Sequence, residues 1–250
     1  MIRTTIAAAF MLFTALGAGS AQAQSTLKVG TEANGLPFSF VDPKTNQPDG
    51  FMVDVIKAVG KEAGFAVTVE PMEFSALISS LTSGKIDLTS AAMYITPKRQ
   101  KVIDFSDPIF GYGEGMIVRK DDNKDYTSFN ELPGETVGAQ LGTLYVAPLQ
   151  QANIFSEVKV YDTVQNMMQD VNAGRIKAGF ADYPIMSYFL AKGQFPNVKL
   201  VKTYKPVVPG EIGIGIPKDK PELLKSIDDA LVKLKANGKL DELTAKWNLK

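Results

Sequence analysis

Two charged side chains, a guanidinium and a carboxylate, stand beside strand-like segments, where they could serve either a cleft or the surface. A carboxylate is best met by a planar group offering two parallel donors, and only a guanidinium does that. Arg99 carries one, just after a strand-like segment. By composition alone it reads as surface, because Lys98 and Lys101 flank it in a basic cluster. Asp182 follows the strand-like run Ala178-Gly179-Phe180-Ala181. A carboxylate at the carboxyl end of a parallel strand faces the crevice of an open α/β sheet. It equally suits a helix cap ahead of Pro184, and both readings stay open. Gly142-Thr143-Leu144 lies between a strand pattern and a helix pattern, where free N–H groups attract anions. Thr143 is also a good N-cap, and Leu144 can offer only its backbone N–H. Phe74, at a strand end, reads as core, and Glu32 as an ordinary loop acid.

Composition removes other chemistries. The 250 residues include no Cys and no His, so thiol catalysis, thiolate zinc sites and iron–sulfur clusters are excluded. The commonest general base and metal ligand is missing too. No D-x-D-x-D-G loop suggests a calcium site, and no cofactor or metal is expected. Hydrophobic residues make up 45% and charged residues 22%, ordinary for a globular protein. Lys plus Arg and Asp plus Glu are 27 each, so no basic excess points to nucleic acid.

Arg3, the apolar run over residues 6–18 and the small-x-small site Ala21-Gln22-Ala23 predict a signal peptide over 1–23. The run is too short for a bilayer span, which needs about 20 apolar residues. No cysteine follows for a lipid anchor. The expected location is the periplasm, where disulfides are permitted but this chain has none.

Strand and helix patterns alternate behind it. The spacing predicts strands over 27–30, 67–69, 86–92 and 115–119, and helices over 51–63 and 76–82, the latter with Ser75 as N-cap. Strands over 136–139, 158–161 and 178–181 then alternate with helices over 144–151 and 164–173. Two C-terminal helices follow, interrupted at Gly238. Repeated strand–helix–strand units predict parallel α/β sheets, in two domains rather than one.

Several segments together resemble the polar amino-acid-binding family 3 of solute-binding proteins of ABC importers. They are Gly50-Phe51-Met52-Val53-Asp54-Val55, Ser83-Gly84-Lys85-Ile86-Asp87-Leu88 and the long run from Ile95-Thr96-Pro97-Lys98-Arg99 to Asp104-Phe105-Ser106-Asp107-Pro108. Val137-Gly138-Ala139-Gln140-Leu141-Gly142-Thr143, the stretch from Ala173-Gly174-Arg175 to Asp182 and the tail from Pro221 to Trp247 complete the series, in the family's order. The resemblance implies a type II periplasmic-binding-protein fold, with two α/β lobes joined by a two-segment hinge. Lobe 1 would comprise residues 24–111 and 206–250, and lobe 2 residues 112–205, with crossings near 110–115 and 203–208. A monomer is expected, with a small amino-acid-like ligand and the importer's transmembrane subunits as partners.

The resemblance also assigns roles. Arg99 takes the carboxylate-binding position, Gly142, Thr143 and Leu144 (with Gln140 just before them) the second-lobe clamp, and Asp182 the α-ammonium partner. Phe74 matches a position that stacks on ligand, and Glu32 an acidic position that meets a cationic tail. The sequence departs from the pattern at Gly35, where the family carries an aromatic, and at Tyr94, where it carries a small hydroxyl residue. Ala91 and Ala92 stand where some members have Ser or Gly. One aromatic lost and another gained suggest a ligand with a bulky N-substituent, such as an opine or a sugar–amino-acid conjugate. The rival expectations are a cyclohexadienyl-dehydratase-like enzyme, with Glu32 or Glu211 as its acid, and a binding protein that presents its ligand to a sensory receptor.

Overall fold

In a computed structural model, residues 25–249 are described, and the expected signal peptide lies outside them. The chain builds two α/β lobes around two five-stranded sheets. In the first sheet the spatial order is Ala66–Met72, Thr26–Glu32, Leu88–Thr89, Gly215–Ile216, Asp104–Phe105. In the second it is Glu157–Tyr161, Thr136–Gln140, Ala178–Asp182, Glu114–Arg119, Val198–Leu200.

The repeated units do produce parallel pairing, with Thr26–Glu32 between two parallel neighbours and Thr136–Gln140 between two more. Each sheet also contains one strand that runs against its neighbours: Gly215–Ile216 in the first and Glu114–Arg119 in the second. Each is the first sheet strand after the chain has crossed between lobes. The crossings pair with each other as a two-stranded antiparallel ribbon, Phe110–Tyr112 with Gly210–Ile212. A strand entering a lobe from this ribbon has no crossover helix to reverse it, so it pairs antiparallel with the neighbours on both sides.

The helix Phe51–Ala63 buries Phe51, Met52, Val53, Val55, Ile56 and Val59. Each fully buried side chain of this size contributes roughly 1.5–3 kcal/mol. The C-terminal helices Pro221–Ala236 and Lys239–Lys246 return to the first lobe and cover it. Asp54 ties them down, accepting from the Lys246 ammonium at 2.7 Å and the Trp247 indole N–H at 2.8 Å. The expected strand over 86–92 is regular only at Leu88–Thr89. The expected helix over 76–82 is a 3-10 turn, Phe74–Ala76, followed by Leu77–Thr82, and Ser75 does not cap it. The chain there is bent by the bonds from Lys85 and Ile86 N–H to the Ser80 carbonyl, which cut the strand short.

The two crossings are clamped by one carboxylate. Glu114 is buried and accepts from the Tyr204 hydroxyl at 2.9 Å, Val207 N–H at 2.6 Å and Val208 N–H at 2.9 Å. It satisfies two backbone donors that no strand partner reaches. Glu114→Ala would leave those donors buried and unpaired, so it is expected to cost about 2–4 kcal/mol of unfolding free energy. Urea denaturation of the variant checks this. A loss under about 0.5 kcal/mol would show that water replaces the carboxylate.

Candidate functional site

Three strands end at one place. Glu32 is the last residue of Thr26–Glu32, Gln140 of Thr136–Gln140 and Asp182 of Ala178–Asp182. Ligand crevices of open α/β sheets lie outside the carboxyl ends of their parallel strands. Here those ends face each other across the lobes, and the Gln140 amide donates to Glu32 Oε1 at 2.6 Å. Between them is a small cavity lined by Glu32, Phe74, Ala92, Tyr94, Arg99, Gln140, Thr143, Leu144, Tyr145 and Asp182.

Arg99 reaches the cavity for a local reason. Thr96 caps the short helix Pro97–Gln100 by accepting from Arg99 N–H at 3.2 Å, and Pro97 fills the first helical position, where no N–H is needed. Arg99 is therefore buried rather than part of a surface cluster. Its guanidinium donates to the Tyr94 carbonyl at 2.8 Å and, across the lobes, to the Gly142 carbonyl at 3.0 Å. It lies over the Phe74 ring, 5.7 Å from the centroid, so Phe74 is both core and cavity wall.

Asp182 does not cap the helix Tyr183–Ala191 with its side chain. Its carboxylate turns inward instead. The Tyr112 hydroxyl donates to Oδ2 at 3.0 Å, and the Tyr145 hydroxyl donates to Oδ1. The turn at 142–144 differs from expectation. The helix starts at Val146, two residues later than a Thr143 cap requires, and the Thr143 hydroxyl donates to the Gln140 carbonyl at 2.7 Å. Thr143 and Leu144 thus line the cavity from a turn, not from a helix start.

Gly35 and Gly142 support the cavity from behind. A Cβ on Gly35 would sit 2.6 Å from Glu32 Oε2, so the small residue makes room for that carboxyl. Gly142 has φ of 81°, and a Cβ there would be 3.0 Å from Ser75 Cα of the other lobe. Tyr112 and Tyr145 were not singled out by sequence, and no local signal marks them. A wider hollow of about 1050 Å³ on the second lobe is walled by Arg119, Arg175 and Lys177, but these cations are already paired with Asp121, Asp170 and Asp122. Glu211 is exposed and does not line the cavity.

Comparison with known proteins matches residues 27–250 to the bacterial extracellular solute-binding proteins, family 3. The chain belongs to this family. It is 30% identical over 224 residues to the L-cystine-binding protein TcyJ of Escherichia coli K12, covering 90% of this chain and 83% of that protein. A variant of the arginine-binding protein ArgBP of T. maritima superposes with a TM-score of 0.83 at 32% identity, over 90% of this chain and 96% of the other. An ancestral amino-acid-binding protein, described as a precursor of cyclohexadienyl dehydratase, superposes with 0.80 at 34% identity, over 89% and 95%. The fold is thus the type II binding-protein fold that the sequence motifs imply, and the protein is a solute-binding protein.

The electrostatics of this family 3 cavity follow from burial. Burial is the main influence on Glu32 and pushes its carboxyl up to about 7, against the Gln140 bond that lowers it. Asp182 is pushed up to about 6 by burial, restrained by the bonds from Tyr145 and Tyr112 and by the Arg99 charge. Burial pulls Arg99 down, while Asp182 opposes that.

A carboxyl raised by folding binds more protons in the folded chain than in the unfolded one. For Glu32 that difference lies between its ordinary 4.5 and about 7, so the stability it carries is greatest below this window and declines as pH rises through it. The Tm of the unliganded protein is expected to fall between pH 5 and pH 8, with Glu32 accounting for up to about 3 kcal/mol. Glu32→Gln should flatten that decline. Equal pH slopes for the variant and the parent would show that Glu32 titrates normally.

Proposed function

We propose that this protein captures an amino acid or amino-acid derivative in the periplasm by closing its lobes, and delivers it to the transmembrane subunits of an ABC importer. The observation that carries this is the pairing of Arg99 and Asp182 in one buried cavity. A guanidinium and a carboxylate within the same small space are the complement of a zwitterion. Ligand would dock first on Arg99, and closure would then bring the 142–144 turn and Asp182 onto it. Pairing both ligand charges offsets the cost of removing them from water. The names of relatives that bind cystine and arginine support an amino-acid ligand. The ribbon of Phe110–Tyr112 and Gly210–Ile212 is the natural hinge, because only it and its flanking turns join the lobes covalently. Export by residues 1–23 and action as a monomer complete this reading.

Capture proceeds without chemistry. The group that most favours an enzyme is Glu32, a buried acid whose pKa is raised further than that of Asp182 beside it. Its carboxyl is held by Gln140 across the lobes, an arrangement suited to latching the closed form.

A thermal-shift screen of stripped protein against amino acids, opines and related conjugates tests the proposal. A true ligand at about a hundred times its Kd should stabilise the protein by about 2.7 kcal/mol. Arg99→Ala should abolish the shift. Turnover of prephenate or arogenate, or no shift from any compound bearing an α-carboxylate, would overturn it.

A further inference from the structure

Most of the polar groups around the cavity already have a partner. Both carboxylate oxygens of Asp182 accept from tyrosine hydroxyls, Tyr145 on Oδ1 and Tyr112 on Oδ2. The Gly142 and Tyr94 carbonyls accept from Arg99, the Gln140 carbonyl from Thr143, and the Ala92 carbonyl from the Tyr112 hydroxyl at 3.2 Å. A primary ammonium brings three N–H donors, and each must find an acceptor when buried. Asp182 has one lone-pair direction left on each oxygen, so three ammonium donors would also have to draw on Glu32 or on second lone pairs of carbonyls already bonded.

The walls beside that carboxylate are aromatic. The rings of Tyr94 and Tyr145 stand at 89° with centroids 6.4 Å apart, forming a corner. Neither ring is free to swing. The Tyr94 hydroxyl donates to the Tyr112 carbonyl at 2.9 Å, and the Tyr145 hydroxyl is held by Asp182. Tyr112 packs on Tyr94 with centroids 4.9 Å apart and fixes it further. Ring faces are negative and attract cations, and an alkylated ammonium spreads its charge over C–H groups that pack against such faces. It is also less strongly hydrated than a primary ammonium, so burying it costs less.

Resting on the capture reading above, we propose that the corner formed by Tyr94, Tyr145 and Asp182 selects α-amino acids whose nitrogen is alkylated, in preference to primary amines. Arg99 holds the carboxylate of either class. The distinction is made at nitrogen, where the cavity supplies charge and aromatic surface but few open acceptors.

Isothermal titration calorimetry would be run with L-alanine, L-glutamine and L-arginine, each as the free amine and as the Nα-methyl and Nα-trimethyl derivatives. In at least one of the three series, the alkylated forms are expected to bind about tenfold more tightly than the free amine. Tyr94→Leu should erase that preference by weakening only the alkylated forms. Tyr145→Phe keeps the ring and frees Asp182 Oδ1, so it should strengthen free-amine binding severalfold and narrow the gap from the other side. The melting curve of each unliganded variant identifies any that fails to fold, and the conservative Tyr145→Phe change carries the test if Tyr94→Leu does. Free amines binding as tightly as alkylated ones in the parent, or a preference unchanged in Tyr145→Phe, would overturn the inference while leaving amino-acid capture standing. No binding by any compound of the three series would count against both.

Discussion

A guanidinium and two carboxyl groups share one small, buried cavity, and the surrounding structure is arranged to make that tolerable. Water would solvate these groups far better than protein does, so each must be given partners. Arg99 takes two backbone carbonyls, one from each lobe. Asp182 takes two phenol hydroxyls, and Glu32 takes the Gln140 amide. Glu32, Gln140 and Asp182 sit at strand ends, because the carboxyl edge of a parallel sheet is where backbone ends and side chains can converge without crossing the core. Bonds that cross between lobes, among them Arg99 to Gly142, Gln140 to Glu32 and Gln165 to the Asn34 carbonyl, form only when the lobes are together. The closed form is therefore held in part by the polar groups of the cavity itself.

That coupling requires lobes which fold independently but stay in register. The antiparallel ribbon supplies the register, and the Glu114 carboxylate locks the return crossing against the outgoing one. Tyr112 belongs to the ribbon and at the same time donates to Asp182, so the crossing ribbon is bonded directly to a cavity side chain. Rotation about the ribbon would change what Asp182 meets. On the capture reading, a ligand that met Asp182 would shift closure by its differential affinity for the closed form.

What the sequence makes legible follows how local each interaction is. The position of Arg99 is set by Thr96 and Pro97, three and two residues away, so the motif and its cap chemistry point to it directly. The helix Phe51–Ala63 coincides with its apolar stripe because burial of one face decides it. Asp182 is different. Cap and cleft acid are equally good local readings, and only the approach of Tyr112 and Tyr145 from elsewhere in the chain turns the carboxylate inward. Thr143 fails as a cap because its hydroxyl finds the Gln140 carbonyl first. Tyr112 and Tyr145 carry no local signature, since their roles arise from contacts 70 and 37 residues away in the chain. Antiparallel entry strands are likewise invisible to periodicity, which reports faces but not direction.

The two cavity carboxyls illustrate why an acid in a cleft is not by itself a catalyst. A general acid must deliver its proton to a bound group, so it needs an open face toward that group and a pKa near the working pH. Glu32 meets the second condition, raised to about 7 by burial, but its Oε1 is turned to Gln140 and its other oxygen backs onto Gly35. Asp182 faces the cavity, yet two phenols and the nearby guanidinium hold it ionised more readily than Glu32. Glu32, the acid with the higher pKa, is turned to Gln140 of the other lobe, and Asp182, which faces the cavity, gives up its proton more readily. On the capture reading, that division suits holding a cation more than transferring a proton to it.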